Sequence, residues 1–223
     1  MVLKLYGPDF TPGGSGVVCM VLAELQLPYE LVFIDMFAGE HKGAAYLEKQ
    51  PFGKVPVMED DGFILYESRA ICRYLVQKYP ATGLCLMPPE TETESRAAFE
   101  QAASIEFATF EPYARTVYLQ KIIQPLLRLP IDQVVLDRAL ENLTATLNVY
   151  EVILGKQRFL AGDEFTLADL FHVAFGSTLE TAGCDLLSTS GPNVARWWRE
   201  IIERPSWAGL KDGLRKAAAA SCS

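Results

Sequence analysis

The stretch "KVPVMEDDGFILYESRAICRYL" (Lys54 to Leu75) decides the fold. Asp61-Gly62 stands between two short apolar runs, which predicts a tight hairpin, because the favoured two-residue turn needs positive φ at both central positions. Ser68 then opens "RAICRYLVQKY", where Ile71, Tyr74, Leu75 and Tyr79 recur at helical spacing, so the hairpin is expected to run into a helix capped by Ser68. Val55-Pro56 comes just before the first of these strands, where a trans proline interrupts a ladder. A cis bond there turns the chain sharply and leaves the backbone N–H and C=O of Val55 facing outward.

Working upstream, "VLKLY" reads as a strand, Gly16 to Leu25 as a helix apolar on most sides and hence buried, and "YELVFI" (Tyr29 to Ile34) as a second strand. The order permits a parallel pair joined by a right-handed crossover helix. The sum is βαβ followed by ββα: a four-stranded sheet with helices on its faces. Downstream, "PATGLCLMPPETETES" (Pro80 to Ser95) breaks the pattern and precedes a helix start. No strand is expected beyond it. Arg96 to Leu127, Leu136 to Leu154, Leu167 to Ala182, Val194 to Glu203 and Trp207 to Lys216 read as helices, with "TLAD" (Thr166 to Asp169) shaped like a capping box. The expected domains are therefore an α/β domain over 1–80, a linker over 81–93, and an all-helical domain over 94–223.

Half of the 223 residues are hydrophobic and 22% are charged, which describes a globular chain with a sizeable core. A net charge of -8 repels phosphate backbones, so nucleic acid is excluded as a general partner. The five cysteines are scattered without a CxxC pair and the two histidines are far apart, so no metal site is expected. No run reaches the ~20 apolar residues of a membrane span, and the first residues lack a signal-peptide pattern. The expectation is a soluble cytoplasmic protein of a reducing compartment.

The chemistry gathers around the opening stretch. An outward-facing Val55 backbone holds another peptide by strand-like pairing. Glu67-Ser68 offers a carboxylate for an amine, and a hydroxyl with helix-start N–H groups for a carboxylate. Upstream, "GEHK" supplies His41 and Lys42 for a second carboxylate. A small peptide with an amine and a carboxylate at one end and another carboxylate at the other spans these features; glutathione is such a peptide. Taken singly each feature has a plainer role: "EHK" is a solvated charge run, Glu67-Ser68 a helix start, Phe52 a core residue. His172, within the apolar "LADLFHVAF", reads as a satisfied buried histidine rather than a catalyst.

On "LYGP", "GEHK", "YLEKQPFGKVPVMEDDGFILYESRAICRYL" and "FLAGDEFTLADL", nearly the whole chain resembles a glutathione transferase of the phi class, most specifically from Gly39 to Tyr79. The resemblance implies a thioredoxin-like domain followed by an all-helical domain, and a homodimer. It implies conjugation of the glutathione thiolate to a small apolar electrophile lying between the domains, with glutathione as co-substrate and no other cofactor. It implies that His41 and Lys42 bind the glycyl carboxylate with Lys54 beside it, that Val55, before Pro56, pairs with the cysteinyl portion, and that Glu67 and Ser68 hold the γ-glutamyl end. Phe52 in "QPFG" resembles an aromatic key that enters the partner subunit.

The family places an active-site serine in the loop after the first strand, within a pattern Ser-x-x-x-x-Arg-Val. Laid on "TPGGSGV", it puts Thr11 at the serine and Gly16 at the arginine. Thr11 keeps the O–H donor, and its extra methyl restricts χ1. Ser15 is the rival donor, or an N-cap. Gly13, Gly14 and Gly16 suggest a mobile loop, the feature that favours a binding protein without turnover. Glutathione-dependent peroxide reduction at the same site is the other rival; a cysteine-type transferase is disfavoured because no Cys occupies the loop. Phe10, Pro12, Phe37, Phe110, Tyr113 and Tyr118 are the candidate lining of the electrophile pocket.

Overall fold

The computed structural model describes residues 3–8, 13–81 and 83–210. The chain divides into two compact units, Met1–Leu84 together with Arg204–Ser223, and Cys85–Glu203.

In the first unit, β1 (Leu3–Gly7), β2 (Tyr29–Phe33), β3 (Val57–Asp60) and β4 (Phe63–Tyr66) form one sheet in the order β2-β1-β3-β4. β1 and β2 are parallel, joined through helix α1 (Gly14–Glu24); β3 is antiparallel to both β1 and β4. Alternation decides the faces. Leu5 is in register with Met58, and both are buried on the side where α1 and α3 (Ser68–Lys78) pack with Val18, Val21, Ile71 and Leu75. Tyr6, in register with Val57, points to the opposite face, where Ile34, Tyr46 and Val57 form a second apolar cluster with Val55 and Tyr66 against it. The hairpin turns at Asp61 (φ 49°) and Gly62 (φ 86°), both positive as expected. Its end is tied to α3 through buried Asp60, which accepts hydrogen bonds from Tyr74 Oη (2.7 Å), Tyr79 Oη (2.9 Å) and Lys78 Nζ (2.6 Å). Burial pushes the Asp60 carboxyl up, and these donors outweigh it, holding it below the usual carboxylate range. Residues 205–210 are helical behind Pro205, and Arg204 and Ser206 grip Glu24 at the end of α1 (2.6 Å each). The expected helix beyond 210 lies outside the described residues.

The second unit is helical. α4 (Thr93–Ile105), α5 (Glu111–Tyr118) and α6 (Gln124–Leu126) follow one another through two wide π-helical turns, 106–110 and 119–123. The sequence reading expected one unbroken helix here. Each wide turn ends just ahead of a proline, Pro112 or Pro125, whose ring clashes with the carbonyl four residues back and which supplies no N–H to it. α7 (Gln133–Leu154) is capped by Asp132, whose Oδ1 accepts from Val135 N (3.1 Å). α8 (Leu167–Leu170), α9 (Val173–Leu179), α10 (Leu186–Thr189) and α11 (Pro192–Ile202) complete the unit, and Thr166 with Asp169 forms the expected capping box. His172 is fully buried among Phe110, Tyr150 and Trp197, as its setting predicted. Its Nδ1 donates to the Ala168 carbonyl (2.9 Å), and its Nε2 is hydrogen-bonded with Tyr150 Oη (3.0 Å). No helix among the described residues is long and apolar enough to cross a membrane.

Candidate active site

Helix α1 starts at Gly14 behind an N-cap at Gly13 (φ 95°). A Cβ on Gly14 would stand 2.7 Å from Ser68 Cβ and 2.8 Å from Ser68 Oγ, nearer than real Cβ atoms approach, and 3.2 Å from Pro56 Cδ, a tight contact. Gly14 therefore lets three distant segments meet: the start of α1, the Val55-Pro56 peptide, which is cis, and the start of α3. Two helix N-termini converge there, and their unpaired N–H groups favour anions. Gly14 and Gly16, which the sequence reading put in the loop, lie inside α1 instead.

Glu67 sits at the N-cap of α3 with φ 71° and ψ 108°, a sparsely populated conformation that costs on the order of 1–3 kcal/mol. It presents an exposed carboxylate beside Ser68. The expectation that Ser68 caps the helix is corrected by one position, because the positive φ of Glu67 turns the chain into helix immediately and makes Ser68 the first helical residue.

Across from this, His41 and Lys42 lie in a short 3₁₀ turn, Glu40–Lys42. His41 Nδ1 is buried without a hydrogen-bond partner among the described residues. Lys42 Nζ donates to the carbonyls of Phe52 (3.1 Å) and Gly53 (2.7 Å). The backbone of Lys54 is held at both ends: its N–H donates to Oε1 of buried Gln50 (3.3 Å), and Tyr46 Oη donates to its carbonyl (2.8 Å). Val55 rests on the Ile34–Tyr46–Val57 cluster, so its backbone is held firmly just ahead of β3. Tyr46, Gln50, Gly14 and Gly53 hold or adjoin the candidate residues and are not assigned by the sequence reading; only the spacing of Tyr46 and Gln50, one helical turn apart, hints at a shared face.

The family profile of the glutathione S-transferase N-terminal domain matches residues 15–78, and that of the C-terminal domain residues 81–205. The chain belongs to the glutathione S-transferase family. Glutathione S-transferase hmp2 of Hypomyces subiculosus is 39% identical over 208 residues, covering 93% of this chain and 96% of that protein. Among solved structures, glutathione transferase F2 from Populus trichocarpa superposes with a TM-score of 0.89 at 38% identity, over 96% of this chain and 99% of that one. Glutathione S-transferase I from maize, solved with an atrazine glutathione conjugate, gives a TM-score of 0.87 at 32% identity, again over 96% and 99%. The transferase is of the phi class, and its fold is the thioredoxin-like unit plus helical unit of that family.

The remaining candidates divide clearly. Thr11, with Phe10 and Pro12, lies outside the described residues. Ser15 is buried, and its Oγ, without a partner among the described residues, lies 2.9 Å from where a Cβ on Gly7 would stand. It does not cap α1, whose N-cap is Gly13. Phe37 is 74% exposed in a turn made by Asp35, whose Oδ1 accepts from Phe37 N and Ala38 N (2.8 Å each). In the helical unit Tyr113 and Tyr118 are half-buried. Phe110, read from the sequence as pocket lining, is instead a core residue with no exposed surface, its ring 4.6 Å from that of His172. Phe52, whose plainer reading was core, is 64% exposed, with its ring edge-on to Tyr66. No group of three or more His, Cys, Asp or Glu among the described residues is arranged to hold a metal.

Proposed function

We propose that this transferase binds glutathione on its first unit and conjugates the thiolate to small apolar electrophiles. Glu67 and Ser68 take the γ-glutamyl end, the Val55 backbone pairs with the cysteinyl portion, and the His41–Lys42 turn with Lys54 beside it forms the donor end for the glycyl carboxylate. The sulfur is assigned to Thr11, which precedes α1 in the sequence. The Thr11 hydroxyl donates to the sulfur, the thiol proton leaves to solvent, and the thiolate forms the new C–S bond as the electrophile loses its leaving group or accepts the addition. The observation that carries this reading is the close approach at Gly14, which gathers Pro56, Ser68 and the head of α1 around one small volume. The glutathione conjugate in the related maize structure is in keeping with it.

The test is calorimetry with glutathione, run beside turnover of a chloronitrobenzene and a peroxide. Glutathione is expected to bind, and Glu67→Ala to weaken it by more than roughly tenfold, since a charged hydrogen bond is worth roughly 1.5–3 kcal/mol. Absence of binding to the parent protein refutes the reading. Binding with peroxide turnover alone makes it a peroxidase, and binding with no turnover makes it a carrier.

We infer further that the protein assembles as a two-fold dimer in which Phe52 is used twice, once from each subunit. An aromatic ring 64% exposed is a ready anchor for a partner pocket. Phe52→Ala is expected to shift the protein toward monomer by about 2 kcal/mol or more in association. Sedimentation velocity reads this directly, and a parent that is monomeric at micromolar concentration counts decisively against it.

A further inference from the structure

We infer that the helical unit carries a small-molecule site of its own, between α9, α10 and α11, that takes a zwitterionic amino acid with a flat apolar side chain. A cavity of about 420 Å³ opens between these helices. That lies within the size range of ligand pockets, which are apolar with a few converging polar groups. Its walls are Leu179 on α9, Leu187 on α10, and Trp198 and Ile202 on α11.

Two of these walls are fixed by a glycine. A Cβ on Gly176 of α9 would stand 2.8 Å from Trp198 Cη2, 3.2 Å from Trp198 Cζ3 and 3.3 Å from Leu187 Cδ1. Glycine therefore lets the six-membered ring of the indole and the Leu187 side chain close on α9, and a wall set in advance is not ordered at the ligand's cost. The other end of the indole carries Nε1–H, which makes no hydrogen bond among the described residues. Trp198 is only 9% exposed, and an indole so far buried ordinarily finds an acceptor. The Cys184 thiol also lines the cavity, and burial pushes its pKa up, so it offers no reactive thiolate there.

The charges at the mouth select the ligand. Glu180 closes α9 and Asp185 precedes α10, while Arg199 stands on α11. All three are exposed, and none makes a side-chain hydrogen bond or ion pair among the described residues. A simple anion suits Arg199 and meets two carboxylates; a simple cation meets the guanidinium. A zwitterion offers its carboxylate to the Arg199 fork and its ammonium to Glu180 and Asp185, while a flat side chain fills the apolar floor.

Calorimetry on the full chain with three probes sharing one ring tests this: L-phenylalanine, phenethylamine and 3-phenylpropionate. L-Phenylalanine is expected to bind with a Kd of about 0.1–1 mM. The other two should bind at least about tenfold more weakly, since each lacks one charged hydrogen-bonding group. Arg199→Met should weaken L-phenylalanine about tenfold and leave glutathione binding unchanged, and Asp185→Asn together with Glu180→Gln should do the same. Saturating glutathione should leave the L-phenylalanine affinity as it was. No binding of L-phenylalanine overturns the inference, as does equal binding of all three probes, which marks an unselective apolar crevice. Binding that survives Arg199→Met, or that glutathione displaces, places the amino acid elsewhere and overturns it too.

Discussion

Replacing Thr11 by valine is expected to raise the pKa of the bound glutathione thiol by one to two units and, through that shift alone, to weaken glutathione binding at pH 7 by only about three- to fourfold. A free thiol of pKa ~8.5 is only about 3% ionised at pH 7, so the site must favour the anion by roughly 2.7 kcal/mol to lower that value by two units. One hydroxyl donating to a thiolate contributes on the order of 1.5–3 kcal/mol. The remainder falls to the N-terminus of α1, where N–H groups and the helix dipole stay in place in the variant. Turnover at pH 7 should then fall roughly 3- to 25-fold, as the thiolate fraction does, and recover as the pH is raised. Valine keeps the shape of threonine and removes only the donor. Thr11→Ser should preserve or improve activity because it frees χ1. Ser15→Ala should change the thiol little, since the Ser15 hydroxyl is buried against Gly7. Ultraviolet absorbance of the bound thiolate against pH checks all three variants. If Ser15→Ala abolishes the thiolate and Thr11→Val does not, the donor lies one helical turn further along.

Asp169→Ala is expected to produce the largest loss of stability in the helical unit, at least about 3 kcal/mol. The Asp169 carboxyl is fully buried and accepts four hydrogen bonds: from Leu160 N and Thr166 N (3.0 Å each), Thr166 Oγ1 (3.2 Å) and Trp197 Nε1 (2.9 Å). Burial pushes its pKa up, and these four donors offset that only in part, so it stays above the usual carboxylate range. Alanine strands donors that water cannot reach, each at a cost of ~1–3 kcal/mol, against a total stability of ~5–15 kcal/mol for a typical domain. Asp169→Asn should fall between, because one amide oxygen still accepts while the NH₂ group faces another donor. Chemical denaturation followed by tryptophan fluorescence measures the difference. An alanine variant whose midpoint matches the parent would show that the network contributes nothing.

The features legible in the sequence are those whose chemistry is complete within a few residues. Asp61-Gly62 specifies its turn because those two residues alone must take positive φ. Thr166 and Asp169 close a capping box across three positions, and the apolar run around His172 already excluded a solvent-facing catalyst. The same locality explains the misplaced boundaries. Ser68 looked like a cap because serine caps helices, whereas the strained φ of Glu67, held by the hairpin before it, starts the helix one residue earlier. The family motifs named His41, Lys42, Val55 and Glu67 as one set. They did not show that Gly14 lets Ser68 and Pro56 meet the start of α1, that Tyr46 and Gln50 hold Lys54, or that the Lys42 ammonium lies on the Phe52 and Gly53 carbonyls. Nor did helical spacing distinguish Phe110 in the core from Tyr113 near the surface. The sequence by itself determined the order of strands and helices, the turns and the family. Only the tertiary structure decided which donor faces which acceptor, because those distances are set by packing between segments far apart in the chain, and no local pattern encodes them.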